Sequence, residues 1–129
     1  MPPDRSDDSG RDAALLLDIM LAAEDALSFV ADLDERAFLA SDLHQSAVIR
    51  KLEVMGDAAG KVSMAFCAAH PEIHWKQMTG LRHRLIHGYG DVRLDIVWRV
   101  VRETLPRLIA MLRPLIAPKT DYDDGAPSG

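Results

Sequence analysis

The chain has 129 residues, of which 48% are hydrophobic, 27% charged and only 5% aromatic. This length fits one domain, and the scarcity of aromatic residues argues against an all-β sandwich or barrel. The formal net charge of −5 by itself argues against a nucleic-acid-binding protein. The single cysteine, Cys67, excludes an internal disulfide, and its apolar helical setting predicts a buried structural thiol.

The charge is unevenly distributed along the chain. Residues 1–73 carry 6 basic and 14 acidic side chains, whereas residues 74–113 carry 8 basic and 3 acidic ones. Such a basic block either binds a polyanion or packs against an acidic helix of the same chain or of another copy. Both interpretations are open on composition alone.

The two ends of the chain have the composition of tails. Residues 1–10 and 118–129 are rich in Asp, Gly, Pro and Ser and lack apolar periodicity. They predict disordered polar tails on either side of one helical domain over residues 11–117. Residues 1–10 contain no apolar segment typical of a signal peptide, and no apolar run is long enough to cross a membrane. We therefore expect a cytoplasmic protein with no membrane partner.

Between the tails, apolar residues recur at helical spacing almost throughout. The pattern predicts a first helix over about 11–33, a short helical turn over 35–40, a second long helix from Ser41 or Asp42 to His70, a third from about Trp75 to Gly88 or Gly90, and a last helix over about 92–117. No strand pattern competes. The predicted fold is an all-α four-helix bundle with short connections.

Two local features refine this prediction. Gly56 and Gly60 lie four residues apart inside the second helix, where each costs about 1 kcal/mol relative to alanine, so we expect a close helix–helix approach there. Pro106 falls inside the last helix and cannot donate a hydrogen bond to the carbonyl of Arg102. A kink is expected at Pro106.

The densest polar cluster of the sequence lies in the third helix, over residues 80–89. At 100° per residue, Arg82, His83, His87 and Tyr89 fall on one arc beside the apolar edge of this helix. Arginine binds phosphate with a planar pair of donors, and histidine moves protons near neutral pH. Together Arg82 and His87 suit cleavage of an RNA phosphodiester without a metal, with His83 as an auxiliary proton carrier.

Plainer explanations of the same residues exist. An arginine followed five positions later by a histidine often occurs by chance on a solvated surface, and His87 with Tyr89 could simply cap the helix end. His83 and His87 have the spacing of a zinc pair, but Arg84 stands where the glutamate of an HExxH motif would be. We therefore expect no metal and no cofactor.

The run GLRHRLIHGYGDVRLDIVW (80–98) resembles the HepT-like family of the HEPN superfamily. The resemblance extends to AVIRKLEVMGDAAGKVS (47–63), HPEIHW (70–75) and ETLPRLIAML (103–112). The family motif of arginine, four residues, histidine, one residue and tyrosine is complete as Arg82, His87 and Tyr89. The chain departs from the common pattern in three places: His83 replaces asparagine, His74 replaces proline and Asp57 replaces glutamate.

The resemblance implies a fold, an activity and partners. HEPN-like domains are helical bundles that form homodimers, with the motif residues of both subunits in one cleft. The family implies the toxin of a toxin–antitoxin pair, a metal-independent ribonuclease acting on RNA or tRNA. It also implies neutralisation by an MntA-like nucleotidyltransferase antitoxin that transfers AMP to the tyrosine, here Tyr89.

Two other functions remain open from the sequence. The chain could be a non-catalytic helical interaction module, such as the binding subunit of a nucleotidyltransferase. It could also be a nucleotide-binding bundle in which Arg82 and Arg84 hold phosphates.

Overall fold

The computed structural model describes residues 5–86 and 93–116, including their side chains except those of residues 5–8, 82 and 86. Its elements are α1 (Arg5–Phe29), α2 (Glu35–Leu39), α3 (Asp42–Lys61), α4 (Met64–Ala69), α5 (Trp75–Ile86), α6 (Leu94–Arg99), a π-helical turn (Val100–Thr104), α7 (Leu105–Leu112) and a 3-10 turn (Arg113–Leu115). This part of the chain contains no strand. None of its helices is both long enough and apolar enough to span a bilayer.

The long helices form the predicted bundle. α1 packs along α3, α5 packs on the other side of α3, and α7 packs against α1. The predicted apolar stripes face the interior. Their fully buried members include Ile19, Ala26, Val48, Leu52, Leu85, Leu105 and Leu112, each with 0% of its surface exposed. The predicted all-α bundle is therefore confirmed. The short helix α2 also contributes to the core through Phe38, whose ring centroid lies 5.3 Å from that of Trp98.

The first helix differs from its predicted bounds at both ends. α1 begins at Arg5 and ends at Phe29, so residues 5–10, assigned to the disordered N-terminal tail, are helical. The prediction followed the apolar stripe, but a polar sequence can continue a helix beyond the bundle where no proline interrupts it. Asp34 then starts α2 as its N-cap, because its side chain accepts a hydrogen bond from the amide of Ala37 at 2.8 Å. The predicted tail over 118–129 lies outside the described residues.

The predicted second helix is divided into α3 and α4 at Ser63. The Ser63 hydroxyl oxygen accepts a hydrogen bond from the amide of Phe66 at 3.1 Å and thereby caps α4. Asp12 of α1 fixes this cap, because its carboxylate accepts from the Ser63 amide at 2.9 Å and from the Ser63 hydroxyl at 2.6 Å. Asp12 is only 5% exposed. The single long helix over 41–70 was thus wrong, since a partner 51 residues earlier stabilises the break.

The last helix accommodates Pro106 by a widened turn immediately before the proline. Residues 100–104 form a π-helical turn, in which the amide of Leu105 donates to the carbonyl of Val100. A proline ring clashes with the carbonyl four residues earlier in a regular helix. The wider turn relieves this conflict. The predicted irregularity therefore lies one turn upstream of Pro106.

The approach of α3 to α5 is close at Gly56. A Cβ atom built on Gly56 would lie 2.8 Å from the carbonyl oxygen of Met78, whereas one built on Gly60 would lie 3.6 Å from the nearest atom, Cγ2 of Thr79. The expected close approach is confirmed at Gly56, where the missing side chain lets the two backbones meet. This contact sets the position of α5 on the bundle.

Candidate functional site

α5 carries the described part of the predicted catalytic motif. Met78, Leu81 and Leu85 bury one face of this helix, each at most 5% exposed. At the start of the helix, the indole nitrogen of Trp75 donates a hydrogen bond to the carbonyl of His70 at 3.0 Å. These contacts fix the helix on α3, and its last two turns hold the motif arginine.

The predicted site residues lie at and beyond the end of α5. The backbone of Arg82 belongs to α5, but its side chain lies outside the described part of the chain. His83 is exposed. His87 and Tyr89 belong to residues 87–92, which follow the last residue of α5 and also lie outside the described residues. The grouping of Arg82, His87 and Tyr89 therefore stays a prediction.

Two other histidines, His44 and His70, have local structural roles. His70 ends α4, and its ring lies 4.4 Å from the ring of Phe66 and within 3.4 Å of the Glu72 carboxylate. His44 shares a hydrogen bond of 2.6 Å with the hydroxyl of Ser41, the N-cap of α3. Within residues 5–86 and 93–116, no three His, Cys, Asp or Glu side chains converge as metal ligands.

Cys67 has the properties of a structural thiol. It is half-buried rather than buried as predicted, and its sulfur lies 4.0 Å from the carbonyl of Val62. Burial, and after it the negative charge of Asp12, raise the pKa of the Cys67 thiol. A raised pKa keeps the thiol protonated near neutral pH, which disfavours a nucleophilic role.

The basic block of the sequence forms a groove between α5 and the α6–α7 segment. Arg84 contributes from α5, and Arg99 and Arg107 contribute from the opposite wall. The groove has a volume of about 370 Å³ and an apolar floor that includes Met55, Leu81 and Leu108. We call this feature the arginine groove. Sequence reasoning missed it, because its residues come from helices that only the fold brings together.

The arginines of this groove differ from others in the basic block. Arg93 donates two hydrogen bonds to Asp95, at 3.1 and 2.9 Å, and Arg102 lies over the Trp98 ring at 5.3 Å. The three groove arginines, by contrast, are exposed and form no ion pair with any carboxylate in residues 5–86 and 93–116. Among the described residues that line the groove, none is Asp or Glu. Its positive charge is therefore available to an external anion.

Comparison with known proteins identifies the family. The family model described as "Ribonuclease HepT-like" matches residues 19–115. A candidate RNase of Methanocaldococcus jannaschii is 37% identical over 95 residues, covering 74% of this chain and 87% of the relative. A protein of Thermococcus cleftensis named "Probable ribonuclease HepT" is 38% identical over 93 residues, covering 72% and 84%.

A second candidate RNase of M. jannaschii is 35% identical over 103 residues, covering 80% of this chain and 85% of the relative. No solved structure matches the chain. The family match extends from the middle of α1 to the end of the 3-10 turn after α7, and so includes all of the later helices and the motif at the end of α5. The chain therefore belongs to the HepT-like ribonuclease family.

Proposed function

We propose that this chain is a cytoplasmic toxin that cleaves RNA without a metal ion and acts as a homodimer. The observation that carries this proposal is the family match over residues 19–115, which includes the complete motif of Arg82, His87 and Tyr89. The names of the relatives also support a ribonuclease.

In the proposed reaction, His87 removes the proton from a ribose 2′-hydroxyl, and the 2′-oxygen attacks the neighbouring phosphorus. The bond from phosphorus to the 5′-oxygen breaks, and the leaving oxygen receives a proton from a second acid. Arg82 stabilises the charge that grows on the non-bridging phosphate oxygens. These two residue types supply the proton transfer and the positive charge that a metal hydroxide would otherwise provide.

The second acid needs a separate group, because one histidine does not accept and donate both protons in a single geometry. His87 of a second copy in a shared dimer cleft is one source. His83 is the other, since it is exposed in the last turn of α5. A homodimer therefore suits the chemistry, and light scattering at twice the mass of 14.2 kDa would support it.

The proposed regulation uses Tyr89. An MntA-like nucleotidyltransferase would transfer AMP from ATP, with the Tyr89 oxygen attacking the α-phosphorus, pyrophosphate leaving and the phenolic proton passing to a base of the antitoxin. The added phosphate would compete with RNA for Arg82 and obstruct the cleft. Intact mass of the co-expressed protein tests this step, and Tyr89→Phe removes the acceptor while keeping the ring.

The cleavage experiment compares wild type, Arg82→Ala and His87→Ala on labelled RNA in excess chelator. His44→Ala is the matched control, because the His44 ring shares a hydrogen bond with the hydroxyl of Ser41 and does not belong to the motif. The proposal predicts cleavage by wild type and by the control, and a loss of at least about 100-fold in both motif variants. Intact RNA with every protein, together with a stable nucleotidyltransferase complex, would instead indicate a binding module.

A further inference from the structure

The geometry points to the arginine groove as an RNA-binding surface separate from the catalytic motif. We infer that it holds a stretch of the substrate strand away from the bond that is cleaved, and this inference rests on the proposed ribonuclease function. The evidence comes from the charge, the dimensions and the position of the groove.

The charge of the groove favours a polyanion. Arg84, Arg99 and Arg107 line it without a carboxylate among the lining residues. Each guanidinium keeps its charge at any working pH and matches the geometry of a phosphate group. The apolar floor lowers the local dielectric constant, which strengthens attraction to an anion in the groove. The overall charge of −5 does not prevent binding, because the local field acts at close range.

The dimensions of the groove favour a strand over a single phosphate. Arg99 and Arg107 lie eight residues apart on the α6–α7 wall, which is at most roughly 12 Å along the helix axis at the α-helical rise of 1.5 Å per residue, because the π-helical turn at Val100–Thr104 lies between them. Arg84 adds a third guanidinium on the opposite wall, so the groove offers more cationic groups than one phosphate needs and suits successive phosphates of a strand. Gln77 and Thr104 add neutral polar groups to the walls, and such groups suit ribose hydroxyls.

The position of the groove separates it from the motif. At 100° per residue, the backbone positions of Arg82 and Arg84 lie about 160° apart around α5. Arg84 lines the groove, so the backbone position of Arg82 lies toward the opposite face of this helix. We infer that a strand in the groove continues past α5 to the proposed catalytic residues. The groove would thus contact flanking nucleotides, and short substrates would not reach it.

This arrangement predicts a specific kinetic effect. The double variant Arg99→Gln/Arg107→Gln should raise KM for a long single-stranded RNA by about tenfold and leave kcat unchanged, because the groove binds substrate and transition state equally. Cleavage of a dinucleotide should not change. The logarithm of the RNA-binding constant falls linearly with the logarithm of the salt concentration. Loss of two phosphate contacts should make this slope shallower by about 1.4.

The matched control is Arg11→Gln/Arg36→Gln, which removes the same charge from two exposed arginines outside the groove. Thermal unfolding checks that both double variants fold, and light scattering checks their mass. If the control raises KM equally, only net charge matters and the inference fails. If the groove variant cleaves long RNA with the same KM as wild type, the inference fails while the ribonuclease function stands.

Two other outcomes would also overturn the inference. A change in oligomeric mass of the groove variant would identify the groove as an interface between copies of the chain. Loss of antitoxin binding with an unchanged KM for RNA would identify it as a docking site for a protein. If the wild type neither binds nor cleaves RNA, the proposed function fails, and the groove inference fails with it.

Discussion

The contact between α3 and α5 offers a direct test of how the fold positions the motif. In Gly56→Ala, the new Cβ would lie 2.8 Å from the carbonyl oxygen of Met78, whereas the lower limit of an ordinary contact is 3.4 Å. The two helices would have to separate by about 0.6 Å, the difference between these distances. The opposing atom belongs to the backbone of α5, so no side-chain rotation relieves the clash.

Gly60→Ala in the same helix supplies the control. Its Cβ would lie 3.6 Å from Cγ2 of Thr79, which is ordinary van der Waals contact. Both substitutions gain helix propensity of about 1 kcal/mol, so this gain cancels when the two variants are compared. Overpacking typically costs about 1–3 kcal/mol. Gly56→Ala should therefore be less stable than Gly60→Ala by about 1–3 kcal/mol.

Urea unfolding followed by circular dichroism measures this difference, and a cleavage assay measures its effect on the motif. Because a displacement of about 1 Å in catalytic geometry can cost about 100-fold, the shift of α5 should lower kcat in Gly56→Ala by roughly tenfold. Gly60→Ala should keep the kcat of wild type. Equal stability of the two variants would refute the claim that Gly56 sets the helix spacing.

Three further predictions concern the rest of the fold. Asp12→Ala and Ser63→Ala should each lower the free energy of unfolding by about 2 kcal/mol, and the double variant should lose less than their sum, because both remove the hydrogen bond from the Ser63 hydroxyl to the Asp12 carboxylate; strict additivity in urea unfolding would contradict this. Arg93→Gln should raise the pKa of Asp95 in an NMR titration, because the hydrogen bonds from Arg93 are the largest cause of its lowered pKa. An unchanged Asp95 pKa in the variant would contradict this cause. A carboxyl with a lowered pKa stabilises the fold at pH values above its unfolded pKa, and this stabilisation is lost as pH falls through the folded pKa. Cys67 should react with iodoacetamide more slowly than a free cysteine at neutral pH, and Asp12→Asn should accelerate the reaction by removing a charge that raises the Cys67 pKa; equal rates would argue against that cause.

The features predicted correctly from the sequence depend on local spacing. The apolar stripes of α1, α3 and α5 repeat every three or four residues, and this periodicity directly encodes which face is buried. Gly56 was also informative, because a glycine inside a helix costs stability unless a close contact offsets it. The roles of Arg82, His87 and Tyr89 stay predictions that rest on family resemblance, since their spacing alone is common.

The features missed by the sequence depend on distant contacts. The helix break at Ser63 is stabilised by Asp12, which precedes it by 51 residues, and no local pattern links the two. The arginine groove needs Arg84 on one wall and Arg107 on the other, a pairing that only the packing of α5 beside α6–α7 creates. The basic composition of residues 74–113 left open whether this block binds a polyanion or packs against an acidic helix, and it did not locate the groove.

The central claim is that the motif at the end of α5 cleaves RNA without a metal ion. The most direct measurement is cleavage of labelled RNA by purified wild type and His87→Ala in the presence of excess chelator, with thermal unfolding to confirm that both are folded. The account predicts that wild type cleaves the RNA at a rate at least about 100-fold above that of His87→Ala. Equal rates for the two folded proteins, or no cleavage by either, would contradict it.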